Sequence, residues 1–453
     1  MEINTAIVAG TGKSGISATK LLVNHGVKVY LFDENKDRDI EAIKEKTGDS
    51  ELVQIELGEL GEDALSSSQL MVISPGIPVD APFTDVVRNA GIPIWSEIEL
   101  AYHYGKGKIA AITGTNGKTT TTALVGEIVR AHNAKTIVVG NIGIPYTELC
   151  DTTDDDSDTV AEISSFQLET VIDFHPNVSA ILNLTPDHLN RHYTFENYGN
   201  VKFSITKKQT MDDVTVLNYD DEHTRAMGEK AKDHCHVVYF SRLEKPAGGV
   251  YVEDGDIILE DGDKKINVLA IKDLKLMGAH NVENVLAAVG ISYYMGVPVD
   301  VIRDVATSFK AVAHRIEYVD TIDGVAYYND SKGTNPDAAI KGIQAMVAPT
   351  FLIGGGYDKG SEYDEWIEAF DGKVKWLVLI GQTAQKIADC AKRHGFNSII
   401  FEENLQDAVA YCHENAVDGD AVLLSPACAS WGQFDNYEQR GDMFKEYVRS
   451  YKE

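Results

Sequence analysis

No run of about 18 consecutive apolar residues occurs in this 453-residue sequence, so no membrane-spanning helix is expected. Positive charge is scarce: 41 Lys and Arg stand against 70 Asp and Glu, a formal net charge of −29. Such a field repels nucleic-acid backbones and anionic lipid, which argues against either as a main partner. An anionic ligand must therefore be held by a local site. The five cysteines, Cys150, Cys235, Cys390, Cys412 and Cys428, are odd in number and contain no C-x-x-C pair. Reduced thiols in a cytosolic protein are therefore the expectation. The start, Met1-Glu2-Ile3-Asn4, carries no basic segment, so a secretory leader is not expected. No internal repeat is evident. The acidic stretch DTTDDDSD at 151–158 lacks the Gly and terminal Glu of a calcium loop and reads as a solvated loop.

What is present is globular: 43% hydrophobic and 25% charged residues. The length suggests about three domains. Short β-branched runs at 6–9, 27–32, 71–74, 109–113, 136–139, 160–163, 178–182, 351–353, 376–380 and 421–424 alternate with amphipathic helical stretches. This alternation predicts an α/β chain built on parallel sheets. Asp254-Gly255 and Asp261-Gly262 interrupt it and predict a small antiparallel region within 237–269. Boundaries are expected near 97 and 311, giving domains 1–97, 98–311 and 312–453.

The most informative segment is IAAITGTNGKTTTT at 109–122. A buried strand ends at Thr113, and Gly114-Thr115-Asn116-Gly117-Lys118-Thr119 opens a helix. Small residues let backbone N–H groups close round phosphate oxygens, and the helix start adds partial positive charge. Lys118 supplies a point charge, and the Thr119 hydroxyl suits Mg²⁺. The match to the usual phosphate loop is imperfect, because Ile112 stands where the first Gly belongs. Gly10-Thr11-Gly12-Lys13-Ser14-Gly15 follows the first strand, and Asp33 ends the second. Alone, this pattern fits a nicotinamide or flavin site, another nucleotide or a structural turn. Ser74-Pro75-Gly76-Ile77-Pro78 closes a third strand at the same edge. Glu162 ends a strand near the phosphate loop, where a carboxylate can hold Mg²⁺. His188 and His192, in Thr185-Pro186-Asp187-His188-Leu189-Asn190-Arg191-His192, have the i, i+4 spacing of a zinc pair without a third ligand. The position of His188 after a strand end points instead to an active-site role.

Together these residues resemble the Mur ligase family of ATP-dependent amide-forming enzymes. The shared motifs are TGTNGKTT (113–120), GNIG (140–143), EISSFQLE (162–169), LNLTPDHLNRH (182–192), Lys202 and GAHNVEN (278–284). AHRIE (313–317), NDSKGTNP (329–336), GGGYDKG (354–360) and LSPACAS (424–430) continue the series in family order across essentially the whole chain. The resemblance is strongest to members that join D-glutamate to UDP-N-acetylmuramoyl-L-alanine in cytoplasmic peptidoglycan precursor synthesis. It implies three α/β domains: a Rossmann-like first domain for the UDP-substrate, a central ATP-binding domain, and a Rossmann-like third domain for the amino acid.

The resemblance also implies residue roles. Lys13, Ser14, Asp33, Gly76, Asn141 and His188 meet the UDP-substrate. Gly114, Thr115, Asn116, Gly117, Lys118, Thr119, Thr120, Asn281, Asn284, Arg315 and Asp330 meet ATP. Thr119 and Glu162 hold one Mg²⁺; His188 and a carbamylated Lys202 serve a second. Lys332, Thr334, Lys359, Ser430 and the Tyr437 backbone form the D-glutamate pocket. A monomer is expected. Glu34-Asn35 after Asp33 departs from the family pattern and removes a basic residue from the diphosphate edge. A folylpolyglutamate synthase shares the phosphate loop but lacks the UDP-binding domain. A dehydrogenase using the first Gly-rich loop leaves Lys118, Glu162, His188 and Lys202 unexplained.

Overall fold

A computed structural model describes residues 3–141, 143–276, 278–310 and 313–452. The chain divides into two compact units, Met1–Asp273 with Glu283–Thr307, and Leu274–Val282 with Ser308–Glu453. The expected boundary at 97 falls on the first residue of the helix Glu97–Tyr104. The one expected between 311 and 312 lies outside the described residues.

The first unit holds two sheets. One is all parallel: β1 (Thr5–Ala9), β2 (Lys28–Asp33), β3 (Val53–Leu57), β4 (Leu70–Ile73) and β5 (Ile94–Ser96), in the order β3-β2-β1-β4-β5. The other comprises β6 (Lys108–Thr113), β7 (Thr136–Gly140), β8 (Asp158–Glu162), β9 (Val178–Ile181), β10 (Val214–Asn218), β11 (His236–Ser241), β12 (Gly249–Glu253), β13 (Asp256–Asp261) and β14 (Lys264–Ala270). Its order is β14-β13-β12-β11-β10-β9-β6-β8-β7. It is parallel from β7 through β12, and β12, β13 and β14 are antiparallel. The second unit holds β15 (Glu317–Ile322), β16 (Val325–Asn329), β17 (Thr350–Gly354), β18 (Val374–Leu379), β19 (Ile399–Phe401) and β20 (Ala421–Leu424), in the order β15-β16-β20-β17-β18-β19.

The apolar runs form strands because both faces of each sheet are covered. In β1, Ala6 and Val8 enter one apolar cluster while Ile7 and Ala9 enter another. In β17, Leu352 points to one side and Phe351 and Ile353 to the other. Period-two alternation thus fills two cores from one continuous run.

The expected hairpin region needs correction at its start. Strand β11 pairs in parallel with β10 and belongs to the main sheet. The antiparallel part begins at β12, with loops at Asp254-Gly255 and Gly262-Asp263. Strands β3, β5, β10 and β19 and the β15–β16 hairpin were not expected. In β3 and β15, Gln54, Glu56, Tyr318 and Asp320 break the apolar run, so these two strands look polar from sequence.

Candidate active site

Each sheet contains a point where the chain, having wound outward one way, returns to wind the other. The two connections leaving neighbouring strand ends there diverge and open a crevice. In the first sheet this point lies between β1 and β4, flanked by loops 10–15 and 74–78. In the second it lies at β6, between β8 and β9, flanked by the phosphate loop, Glu162 and the segment 183–188. In the third it lies between β17 and β20, flanked by loops 355–360 and 425–430. Many of the sequence-predicted residues lie at these three places, whereas Asp33 ends β2, Asn141 follows β7, Lys202, Asn281, Asn284 and Tyr437 lie on helices, Arg315 precedes β15, and the 329–334 segment follows β16 beside β20.

At the first crevice, Gly15 has no room for a side chain: a Cβ there would lie 1.8 Å from Gly10 O. This close approach seats the helix Lys13–Asn24 against the strand end. Asp33 accepts from Thr11 N at 3.1 Å, Thr11 Oγ1 at 2.6 Å, Asn35 N at 3.0 Å and Arg38 Nε at 3.2 Å. Burial works against its charge, but these donors outweigh it and hold the carboxyl below its usual range. Arg38 was missed from sequence. It returns a guanidinium to the edge that Glu34-Asn35 leaves without one. The signal was a cation five residues past the strand end, outside the motif. Lys13 Nζ donates to Gly143 O, tying this edge to the loop after β7.

Hydrogen bonds between its loops stitch the second crevice together. Gly117 adopts φ +84° at the start of the helix Lys118–His132, and a Cβ there would lie 2.2 Å from Asn284 Oδ1. Only glycine lets the loop pass so close. Asn183 holds the loop by a reciprocal pair, accepting from Asn116 N at 2.8 Å and donating to Asn116 O at 3.1 Å. Thr115 Oγ1 donates to Thr185 O at 3.1 Å and lies 3.2 Å from Tyr198 Oη. Asn183 was another residue missed, although it stands at a strand end beside the phosphate loop. Thr119 and Thr120 are buried in the first helical turn.

Two lysines converge on one carbonyl. Lys118 Nζ donates to Gly114 O at 2.9 Å and Thr115 O at 2.8 Å. Lys202 Nζ donates to the same Gly114 O at 2.9 Å and to Thr113 Oγ1 at 3.3 Å. Lys202 lies on the helix Phe195–Phe203, one turn after Tyr198, and its Nζ stands 4.8 Å from that ring's centroid. It is 1% exposed. Burial first, and the Lys118 charge second, push its amine well below the ordinary lysine range.

Glu162 ends β8 with one oxygen committed and one not. Oε1 accepts from Asn141 Nδ2 at 3.0 Å, while Oε2 is buried without a hydrogen-bond partner. A buried, unpartnered carboxylate oxygen is costly unless a cation uses it. Together with the Thr119 hydroxyl it fits a hard oxygen-seeking ion such as Mg²⁺. His188 sits at φ +52°, half exposed, after β9. Desolvation, then Lys118 and Lys202, outweigh Asp187 and lower its pKa, leaving a neutral imidazole at neutral pH. His192 points elsewhere: it is buried, lies 2.9 Å from Ser165 Oγ, and burial pushes it to about 4. The two histidines do not form a zinc pair, and among the described residues neither belongs to a cluster of metal-ligating side chains.

In the second unit, Asp330 is buried, with Oδ2 accepting from Ser425 Oγ at 2.6 Å and Oδ1 from Ile316 N at 3.3 Å. Burial raises its pKa to about 7. Lys332 Nζ lies 5.5 Å from the Tyr437 ring centroid, and the exposed Lys359 lies 4.6 Å from that of Trp431. Ser430 is buried and Thr334 half-buried. Arg440, fully buried, binds two of the loops: Nε to Ser331 Oγ at 2.9 Å, Nη2 to Ser331 O at 2.8 Å and Nη1 to Cys428 O at 3.2 Å. Ser331 Oγ in turn donates to Tyr437 O at 2.8 Å, so that carbonyl is already engaged. Arg440 carries no sequence signal of its own beyond its place in the Gln439-Arg440-Gly441 run. Arg315 also belongs to this unit, as does Asn281, whereas Asn284 belongs to the first.

Three family profiles cover most of the chain: the Mur ligase MurD-like N-terminal domain at residues 4–96, the Mur ligase middle domain at 112–292, and the Mur ligase glutamate ligase domain at 314–428. The chain is 55% identical to the UDP-N-acetylmuramoylalanine–D-glutamate ligase of Lachnospira eligens over 99% of both chains. It is 51% identical to the ligase of the same name from Lachnoclostridium phytofermentans, over 99% of this chain and 98% of that one. Among solved structures it is similar to the UDP-N-acetylmuramate–alanine ligase of Thermotoga maritima, with TM-score 0.61 and 18% identity over the whole of both chains. At that identity the likeness concerns the fold.

Proposed function

The chain belongs to the Mur ligase family, and from that premise we propose how its residues divide the work of an ATP-dependent ligase. The reaction joins D-glutamate to UDP-N-acetylmuramoyl-L-alanine in peptidoglycan synthesis. Amide formation from a carboxylate and an amine is uphill in water, because the carboxylate is a poor electrophile. Transfer of the γ-phosphoryl group of ATP to an alanyl carboxylate oxygen gives an acyl phosphate and releases ADP. The D-glutamate amine then attacks the acyl carbon, the C–O bond to phosphate breaks, and the amine loses a proton. Three anions must meet, so cations and N–H dipoles have to be in place beforehand.

The observation that carries this reading is the convergence of Lys118 and Lys202 on Gly114 O beside the unpartnered Glu162 Oε2. Lys118 and the amides of residues 114–119 receive the β- and γ-phosphates. Thr119 and Glu162 hold Mg²⁺, which neutralises phosphate charge when bound. His188, neutral, accepts or donates a hydrogen bond at the reacting end of the UDP-substrate, with Asn141 beside it. A second Mg²⁺ needs an anionic partner near His188, and Lys202 supplies one once carbamylated. Its suppressed amine pKa favours that modification, because only a neutral amine captures CO₂. Lys13, Ser14, Asp33 and Gly76 line the UDP end.

In the second unit, Lys359 and Lys332 offer cations to the D-glutamate carboxylates, flanked by Thr334, Ser430 and the Tyr437 backbone. Asn281 and Asn284 serve the adenine, Asp330 the ribose and Arg315 the phosphates. We place the domain boundaries at 97/98 and 311/312 and read the protein as a cytoplasmic monomer. Among the described residues no helix is long and apolar enough to cross a membrane.

Phosphate release from ATP and Mg²⁺ with UDP-N-acetylmuramoyl-L-alanine tests the reading when D-glutamate, L-glutamate, L-alanine and L-lysine are compared. Release that depends on D-glutamate, with the matching amide identified by mass, is expected. Release with another of the four would overturn the pocket assignment.

A further inference from the structure

One cation near the second crevice does not point at the phosphate loop. Arg191 follows His188 by three residues, in the one-turn helix Leu189–His192. Its guanidinium forks onto Glu169, with Nε to Oε1 at 3.1 Å and Nη2 to Oε2 at 2.5 Å. Nη2 also donates to Ile77 O at 2.8 Å. The guanidinium carbon stands 4.8 Å from the Phe166 ring centroid. The same ring lies 4.8 Å from His188 and 5.7 Å from His192. Arg191 and Glu169 side chains are only 11% and 7% exposed.

These contacts join segments far apart in sequence. Ile77 belongs to the 74–78 turn at the first crevice, beside Gly76. Phe166 and Glu169 belong to the segment after Glu162. The turn carrying Arg191 is bracketed by two non-glycine residues at positive φ, His188 at 52° and Tyr193 at 66°. Such conformations persist only where the surroundings enforce them. Tyr193 Oη donates to Asp80, a second tie between the same two loops.

We propose that Arg191 is a positioning residue that fixes the 74–78 turn against the His188 loop, and so registers the two ends of the UDP-linked substrate. The inference rests on the assignment of Gly76 and His188 to that substrate. A substrate that spans both crevices is held in one reactive pose only if their separation is fixed. Arginine suits the task because one planar fork serves a carboxylate and a carbonyl together; lysine offers a single ammonium.

The test compares wild type, Arg191→Lys and Arg191→Ala, measuring kcat, KM for each substrate and the melting temperature. For Arg191→Lys, kcat/KM for the UDP-substrate should fall by about 10²-fold, shared between a higher KM and a lower kcat. KM for D-glutamate should stay within about twofold, since that pocket is assigned to the other unit. Glu169→Gln, which keeps one acceptor, should fall between wild type and Arg191→Lys. Should Arg191→Ala fail to fold, the lysine variant carries the test. A folded Arg191→Lys with wild-type KM and kcat would overturn the proposal. So would loss of thermal stability with unchanged constants for the folded fraction. Wild-type turnover in the same assay separates these outcomes from failure of the reaction assignment itself.

Discussion

The crevice at β6 and the crevice between β17 and β20 arise from the same topological event, yet they hold their lysines differently. In the first, Lys118 and the buried Lys202 are pinned by 2.9 Å hydrogen bonds to one carbonyl. In the second, the exposed Lys359 rests on the face of Trp431, 4.6 Å from its ring centroid. The contrast fits the two tasks proposed for these crevices. Phosphoryl transfer gains most from charge fixed in a water-poor site, because no reorganisation is then needed as charge shifts. A pocket for a free amino acid must admit and release it, and cation–π contacts of about 0.5–1 kcal/mol are easily exchanged for a carboxylate.

The sharpest way to break the comparison is Lys118→Ala. Loss of a preorganised cation at the transferred group should reduce kcat by about 10³-fold while UDP-substrate binding, followed by calorimetry, survives. Retained turnover would remove the phosphate-loop assignment. Lys202→Ala should cost about 10²–10³-fold. The wild type in ¹³C-bicarbonate should show a carbamate carbon resonance that this variant lacks, and short carboxylates should restore part of its activity. Absence of both resonance and rescue would leave Lys202 a plain buried amine. Lys359→Ala should act mainly on D-glutamate, raising its KM by about 10–100-fold, as expected for one charged hydrogen bond of about 1.5–3 kcal/mol. An unchanged KM would move the amino-acid pocket away from loop 355–360.

The smallest effect concerns stability. Asp330 has a folded-state pKa near 7 against an ordinary 3.8. Between those values the folded protein binds the proton more tightly than the unfolded chain. Stability should therefore fall as pH rises through that window and level off above it. Asp330→Asn keeps the hydrogen-bonding shape toward Ser425 and Ile316, so it should flatten the slope of melting temperature between pH 5 and 8. A slope unchanged by the substitution would assign it to another group.

Most parallel strands were legible because buried strands read as β-branched runs, and the turn from strand Lys108–Thr113 into helix Lys118–His132 because glycine stands beside Lys-Thr. The strands containing Gln54, Glu56, Tyr318 and Asp320 were not, because edge or half-solvated strands lack that run. The residues that hold the sites in shape were the least legible. Asn183, Arg191 and Arg440 reach partners 67, 114 and 109 residues away, which no local pattern encodes. His192 shows the converse, since its i, i+4 spacing with His188 suggested shared chemistry, yet it packs inward against Ser165.

Activation of the substrate carboxylate by phosphorylation at the β6 crevice is tested with UDP-N-acetylmuramoyl-L-alanine labelled with ¹⁸O in its alanyl carboxylate. Each released phosphate should carry one oxygen from that carboxylate. Unlabelled phosphate, formed alongside the amide, would contradict it.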